Sequence, residues 1–368
     1  MRIRLVILFL TAAVACVRSQ ESAPPVRLAI IGLVHDHVTL MLPELAGRQD
    51  VHLVGIVEPN QEAVAHYAQR FHLDRALFFP SIEALVAKTK VDAVATFTST
   101  FDHRRVVETC APLGIDVMME KPLAVSMDHA RAISAAASKG GIQVIVNYET
   151  TWYPSNQVAY DVVHARHAIG DLRKIVVRDG HQGPIAIGVS PFFGAWLMDP
   201  VLDGGGALMD FGCYGVDLAT WMMEGARPTS VLAVTQNFQP DAYPRVEDEA
   251  TIVLTYPRTQ AIIQASWNWP YGRKDMDIYG EMGALRLPNR DTLFMRTGDG
   301  PEVRVATPAL ADAGRDALSY LVAVVRGKVR PSGLSSLEVN MVVSEVLDAA
   351  RESARTGRRI DLGGDPPR

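Results

Sequence analysis

The sequence is short of cysteine, with three in 368 residues, and only Cys110 and Cys213 lie beyond residue 20. Two isolated thiols build no disulfide framework, so buried apolar surface must hold the fold together. Positive charge is also in deficit. Lys and Arg number 36 against 41 Asp and Glu, a net charge of −5, with no basic cluster. That balance excludes an electrostatic partnership with nucleic acid or an anionic membrane surface. No apolar run reaches the roughly 20 residues that cross a bilayer, so no integral membrane span is expected. Internal repeats and low-complexity tracts are absent too.

The chain opens with an address. Arg2 and Arg4 precede Leu5 to Val17, an apolar run of thirteen residues. A short basic region followed by an apolar core of that length reads as a signal peptide over residues 1–20. Cleavage after Ala13-Val14-Ala15 makes Cys16 the first mature residue, as in a lipid-anchored protein; cleavage after Ser19 is the alternative. The expectation is an exported protein: periplasmic, secreted, or anchored through Cys16.

The remaining chain exceeds one ordinary core, so two domains are expected, at 26–147 and 148–368. In the first, β-branched runs at Val26–Ile31, Val51–Val57, Val91–Phe97, Asp116–Met119 and Ile142–Val146 alternate with amphipathic stretches. Those helical stretches lie at Val38–Ala46, Gln61–Arg70, Ser81–Ala87, His103–Leu113 and Ser126–Lys139. This alternation predicts α/β structure, a doubly wound parallel sheet that binds ligands beyond its strand ends. After Tyr148 a helix at Ser155–Ala168, a strand at Lys174–Val177 and a helix at Ala207–Met223 are expected. Six consecutive strand-like runs between Val231 and Arg296 follow, then helices near Asp312–Arg326 and Ser335–Thr356. That order predicts an α+β domain with an open, mainly antiparallel sheet, whose last helices pack back on the first domain.

Two motifs carry chemistry. Glu120-Lys121-Pro122 follows a first-domain strand, and Gly204-Gly205-Gly206 leads into Asp210-Phe211-Gly212-Cys213-Tyr214. On a nascent helix Asp210 and Tyr214 stand one turn apart on one face. With a lysine from another segment, a carboxylate and a phenol can move a proton on and off a sugar-like hydroxyl. Together the motifs resemble the glucose–fructose oxidoreductase/inositol dehydrogenase (Gfo/Idh/MocA) family, with matching blocks from about Val26 to Gly225. The resemblance implies a Rossmann-like first domain, a nicotinamide cofactor, a small carbohydrate substrate, and homo-oligomers paired through the second domain's sheet. Carried over from it, Lys121 polarises the substrate hydroxyl, Tyr214 is the general acid/base and Asp210 positions them. A phenol of ordinary pKa near 10 needs a nearby cation to act as a base at neutrality, and Lys121 can supply one.

The dinucleotide turn departs from its pattern. G-x-G-x-x-G lets the backbone approach a pyrophosphate, whereas this turn reads Gly32-Leu33-Val34-His35-Asp36-His37. Val34 stands where the backbone should be bare. His35 and His37 have three readings: helix capping, side-chain donors to a pyrophosphate, or a pair of metal ligands. Glu58, 26 residues after Gly32, is placed to accept from a ribose 2′-hydroxyl, which favours NAD over NADP. Thr98 and His103 follow the next strand; in the family that histidine stands near the nicotinamide, and the alternative is a helix cap made with Asp102. Glu120 completes the expected cofactor set.

Tyr148, Trp152, His181, Trp196, Asp199 and Asp217 fall in segments that face the substrate cleft in the family. Aromatic rings beside acids suit a sugar. The leading expectation is an exported NAD(P)-dependent oxidoreductase acting on a sugar, polyol or glycoside hydroxyl. The alternative is a redox-silent relative, either a metal- or proton-relay lyase on an oxidised sugar or a carbohydrate-binding protein.

Overall fold

The computed structural model describes residues 23–363; the expected signal peptide and Cys16 lie outside the described residues. The first sheet comprises β1 (Val26–Ile31), β2 (Val51–Val57), β3 (Phe78–Phe79), β4 (Ala93–Thr96), β5 (Asp116–Glu120) and β6 (Val144–Asn147). All pairings are parallel, and the order is β3-β2-β1-β4-β5-β6. Helices cover both faces, so β1 is buried at every position but Arg27 and β4 at every position, without alternation. The order reverses between β1 and β4, and the crevice outside their carboxyl ends holds the turns beginning at Gly32 and Thr98.

The second sheet is built from β7 (Leu172–Gly180), β8 (Ser230–Gln236), β9 (Glu249–Thr255), β10 (Gln260–Ser266), β11 (Arg273–Gly280), β12 (Gly283–Asn289), β13 (Thr292–Thr297), β14 (Val303–Val305) and β15 (Ile360–Asp361). Its order is β14-β13-β12-β11-β7-β10-β9-β8-β15. The β7–β10 pair is parallel and the others are antiparallel. Inward residues alternate along β9 and β10 (Ala250, Ile252, Leu254; Ala261, Ile263, Ala265). They pack against the wholly buried helix Gly212–Met222. Gly215 lets that helix approach, since a Cβ there would stand 2.4 Å from Ile263 Cγ2. The helix Ala317–Val325 returns to the first domain and packs Leu318, Leu321 and Val322 with Leu28, Ile30 and Ile56.

The main departure from expectation is the helix at Ala207–Met223. It is two helices, Ala207–Asp210 and Gly212–Met222, broken at Phe211 (φ −108°, ψ −31°). β3, β14 and β15 were not expected, and each is two or three residues long, too short for alternation to register. The helices Pro184–Ile187 and Pro191–Leu197 are likewise additions.

Candidate active site

The broken helix creates the site. The carboxylate Oε1 of Glu247 accepts from the N–H groups of Gly206 (2.8 Å) and Leu208 (3.1 Å), anchoring the first turn through its orphan donors. A Cβ on Gly206 would lie 2.0 Å from Glu247 O, so only glycine passes there. The N–H of Tyr214 donates to Phe211 O at 3.1 Å, which releases the carbonyl of Asp210 from helical bonding. Lys121, leaving the end of β5, takes it: Nζ donates to Asp210 O at 3.0 Å and to Oδ1 at 2.5 Å. Trp267 Nε1 donates to Oδ2 at 2.9 Å. Both partners are buried, with side-chain exposures of 6% and 8%. Although burial opposes both charges, Asp210 holds Lys121 protonated far above the ordinary ammonium range, and Lys121 and Trp267 hold Asp210 below the carboxylate range.

The Tyr214 ring faces two ammonium groups, with Lys121 Nζ 5.1 Å and Lys274 Nζ 4.4 Å from its centroid. The Lys121 amine therefore stands over the face of the Tyr214 ring. The direction of the phenol's pKa is not as expected: burial, with Glu149 next in effect, pushes it well above 10. Burial therefore opposes the phenolate form of Tyr214. Tyr148 was assigned to the substrate, but it is fully buried and packs edge-on against Tyr214 at 5.4 Å.

Lys121, Asp210, Tyr214 and His181 line a cleft of about 1150 Å³. His181 Nδ1 accepts from Gly183 N at 2.9 Å, which leaves the ring proton of the neutral imidazole on Nε2. Burial lowers its pKa. Four further residues of this wall went unrecognised in the sequence: Glu149, Tyr153, Lys274 and Arg178. Glu149 accepts from Tyr153 Oη at 2.5 Å and pairs with Lys274. The Tyr148-Glu149-Thr150-Thr151-Trp152-Tyr153 stretch could have flagged the first two; nothing in the sequence around Lys274 or Arg178 marks them.

The other substrate assignments are corrected. Trp152 donates from Nε1 to Asn147 Oδ1 and lines a separate cleft with Tyr160, Trp221 and Tyr320. Trp196 is buried, its Nε1 bonded to Val34 O at 3.0 Å. Asp199 caps Val201 and pairs with Arg245. Asp217 is fully buried, and neither carboxylate oxygen has a partner among the described residues. Desolvation raises its pKa well above the carboxylate range.

At the first turn, Gly32 (φ +81°) passes so close to the segment after β4 that a Cβ would meet Thr98 Cγ2 at 2.6 Å. The neighbouring backbone donors are already used. Leu33 N donates to Glu58 Oε2 (2.7 Å), and Val34 N and His35 N donate to Phe97 O (3.1 and 3.0 Å). Glu58 is buried and its other oxygen accepts from Asn60 N, so its carboxylate is committed to the chain rather than presented to a ribose. Thr98 is buried and bonded to Thr96. His103 makes no cap with Asp102; it is buried, contacts Leu123 O at 3.3 Å, and burial pushes its pKa down to about 4. A segment of the second domain lies over this turn. Ser190 N donates to Asp36 Oδ2 at 2.7 Å, Phe193 packs on His35 at 4.5 Å, and Trp196 bonds Val34 O as above.

His35 and His37 do not cap the first helix, which has no side-chain cap. His37 Nδ1 instead meets Glu120 Oε2 at 2.9 Å, and His35 stacks obliquely on His37 at 4.5 Å.

Two sequence models match this chain. "Oxidoreductase family, NAD-binding Rossmann fold" covers residues 26–148, and "GFO/IDH/MocA C-terminal domain" covers 161–286. The chain belongs to the GFO/IDH/MocA oxidoreductase family. Among relatives, trans-1,2-dihydrobenzene-1,2-diol dehydrogenase of Xenopus laevis is 26% identical over 65% of this chain and 68% of its own. D-apiose dehydrogenase of Paraburkholderia graminis is 25% identical over 84% and 83%. An inositol dehydrogenase homologue from Azotobacter vinelandii, solved with NAD⁺, superposes with a TM-score of 0.79 at 17% identity, covering 92% of this chain and 98% of the other. The first domain is thus the family's NAD-binding Rossmann domain. Within that frame, the first turn of this GFO/IDH/MocA chain does not fit the ordinary pyrophosphate seat as it stands. The backbone donors of Leu33, Val34 and His35 are spent, and Ser190, Phe193 and Trp196 lie on the turn.

Proposed function

We propose that the protein is an exported oxidoreductase acting at a hydroxyl, or the corresponding carbonyl, of a sugar, polyol or glycoside. The observation that carries this reading is the buried Lys121–Asp210 pair standing with Tyr214 on the wall of an open cleft. The names of the matched relatives, a diol dehydrogenase and a sugar dehydrogenase, support a hydroxyl-bearing substrate. A nicotinamide held by the first domain would supply hydride exchange at the substrate carbon; the residues of this chain handle the oxygen. Lys121 is held as an ammonium and Tyr214 as a phenol, so both meet a substrate oxygen as hydrogen-bond donors. Glu149 is engaged by Lys274 and Tyr153. A set of donors with its carboxylates committed suits an oxygen gaining negative charge, which is a carbonyl becoming an alkoxide. Such a set suits proton delivery in the reducing direction, and by reversibility the donor that gives the proton takes it back in oxidation.

Export rests on Arg2, Arg4 and the apolar run after them, and cell fractionation tests it. Exposed Leu232, Val234 and Tyr279 on the second sheet support pairing of subunits there, which sedimentation would detect.

A second reading, a redox-silent lyase or carbohydrate-binding protein, is favoured by the segment lying on the first turn. One experiment separates the two. The purified protein is denatured and its supernatant analysed for NAD(H) and NADP(H), and the native protein is mixed with either cofactor and a panel of sugars while absorbance at 340 nm is followed. Released or turned-over dinucleotide supports the oxidoreductase; neither, with sugar binding intact, supports the alternative.

A further inference from the structure

We infer that His35, His37 and Glu120 form a binding site for one divalent transition-metal ion beside the cleft. The three residues come from two segments that the parallel sheet brings together: the first turn after β1 and the end of β5. One ligand atom from each lies within 4.8 Å of the others, close enough for a single ion to draw them in. Two imidazoles and one carboxylate are a donor set for Zn²⁺, Mn²⁺, Fe²⁺ or Co²⁺ rather than for Ca²⁺ or Mg²⁺.

Two further observations support a ligand there. His35 is 1% exposed, and its Nε2 has no hydrogen-bond partner among the described residues. A buried ring nitrogen left unmatched is uncommon, and a metal ion would match it. The other nitrogen has only a long 3.2 Å contact from His37 N–H, so ligation through either atom gives up little. Glu120 is oriented from behind, because Asn147 Nδ2 donates to its Oε1 at 2.9 Å and Trp152 Nε1 in turn donates to Asn147 Oδ1 at 2.9 Å. Outer-shell bonds of this kind hold ligating groups in place.

The His37 side chain is 35% exposed and lines the cleft. Coordination positions not filled by protein therefore open toward the substrate. There an ion would act as a Lewis acid on a hydroxyl or carbonyl oxygen, next to the Lys121 ammonium. The site does not rest on the oxidoreductase reading and holds equally for the redox-silent one.

The test is metal binding itself. Untagged protein is stripped with EDTA, dialysed, and titrated with Co²⁺ by visible absorbance and with Zn²⁺ by calorimetry. One equivalent of metal is expected. Glu120→Gln, nearly isosteric, and His37→Ala should each weaken binding beyond the roughly 10–100-fold cost of losing an outer-shell partner. Asn147→Ala should fall within that range, and His164→Ala, on another surface, should change nothing. Circular dichroism confirms that each variant folds. Binding below a fifth of an equivalent, or binding unaltered in folded Glu120→Gln and His37→Ala, would overturn the site and leave His37–Glu120 a plain ion pair. Neither result bears on whether a dinucleotide is bound, so the two readings fail separately.

Discussion

Lys121 grips Asp210 at two points, the carboxylate and the backbone carbonyl, and the second exists only because the helix breaks at Phe211. A helical carbonyl is normally consumed four residues on. Here it is freed, and it fixes the ammonium in a position that a flexible side chain would otherwise not keep.

Removing one member of this pair strands a buried charge. Lys121→Ala should cost about 3–5 kcal/mol of stability and reduce turnover by roughly 10²–10⁴-fold. Lys121→Met with Asp210→Leu should recover most of the stability and none of the activity. Urea unfolding of the single and double variants, alongside rate measurements, checks both halves.

The same pair sets a pH window. Asp210 is depressed in the fold, so its contribution is present above the unfolded carboxylate pKa, about 3.9, and is lost as pH falls through the folded value. Lys121 is raised, so its contribution is complete below about 10.4 and is lost as pH rises through its folded value. Urea midpoints should therefore show this contribution throughout the range between them and lose it at acid pH first.

Asp217 works in the opposite sense. Its raised pKa means the fold keeps a proton that the unfolded chain releases above about 3.9. Stability contributed by this group is complete below that pH and declines as pH rises. Asp217→Asn should then stabilise the protein, with a gain that grows from pH 4.5 toward pH 8. A pH-independent difference in urea midpoints would show that the carboxyl is not buried in its neutral form.

Gly206→Ala drives a methyl into Glu247 O. It should destabilise the protein by at least the roughly 1–3 kcal/mol of an overpacked site and displace Asp210. Thermal unfolding should register the first effect and loss of activity the second, while Gly47→Ala, whose nearest contact is 4.0 Å away, should register neither.

Trp196→Phe keeps the ring packing on His35 but deletes the bond to Val34 O. A cost of about 0.5–1.5 kcal/mol follows. The segment 184–198 should also exchange amide hydrogens faster, and NAD⁺, measured by calorimetry, should bind more tightly if lifting this segment is what opens the first turn.

Much of the architecture is legible along the chain. β1, β2 and the helices Val38–Ala46 and Gln61–Arg70 run as expected, because strands buried on both faces and helices with one apolar stripe leave strong patterns. Lys121, Asp210 and Tyr214, each marked by a short motif, line one cleft although Lys121 and Asp210 are 89 residues apart. What misled was reading Ala207–Met223 as one helix. Gly212 is the one weak helix former beside the break, and Glu247, 41 residues from Gly206, anchors the first turn separately.

The sequence by itself therefore determined the two-domain frame, the strand order's raw material and the residue types able to handle a proton. Protonation states and partners were decided only by the tertiary structure. Burial raises the Tyr214 phenol, Glu58 is spent on Leu33 and Asn60, Trp152 faces another cleft, and His37 finds Glu120 across 83 residues. The physical reason is range. Helix and strand formation is governed by neighbours a few positions apart, whereas desolvation, charge pairing and hydrogen-bond commitment depend on whichever distant segment is packed against each group.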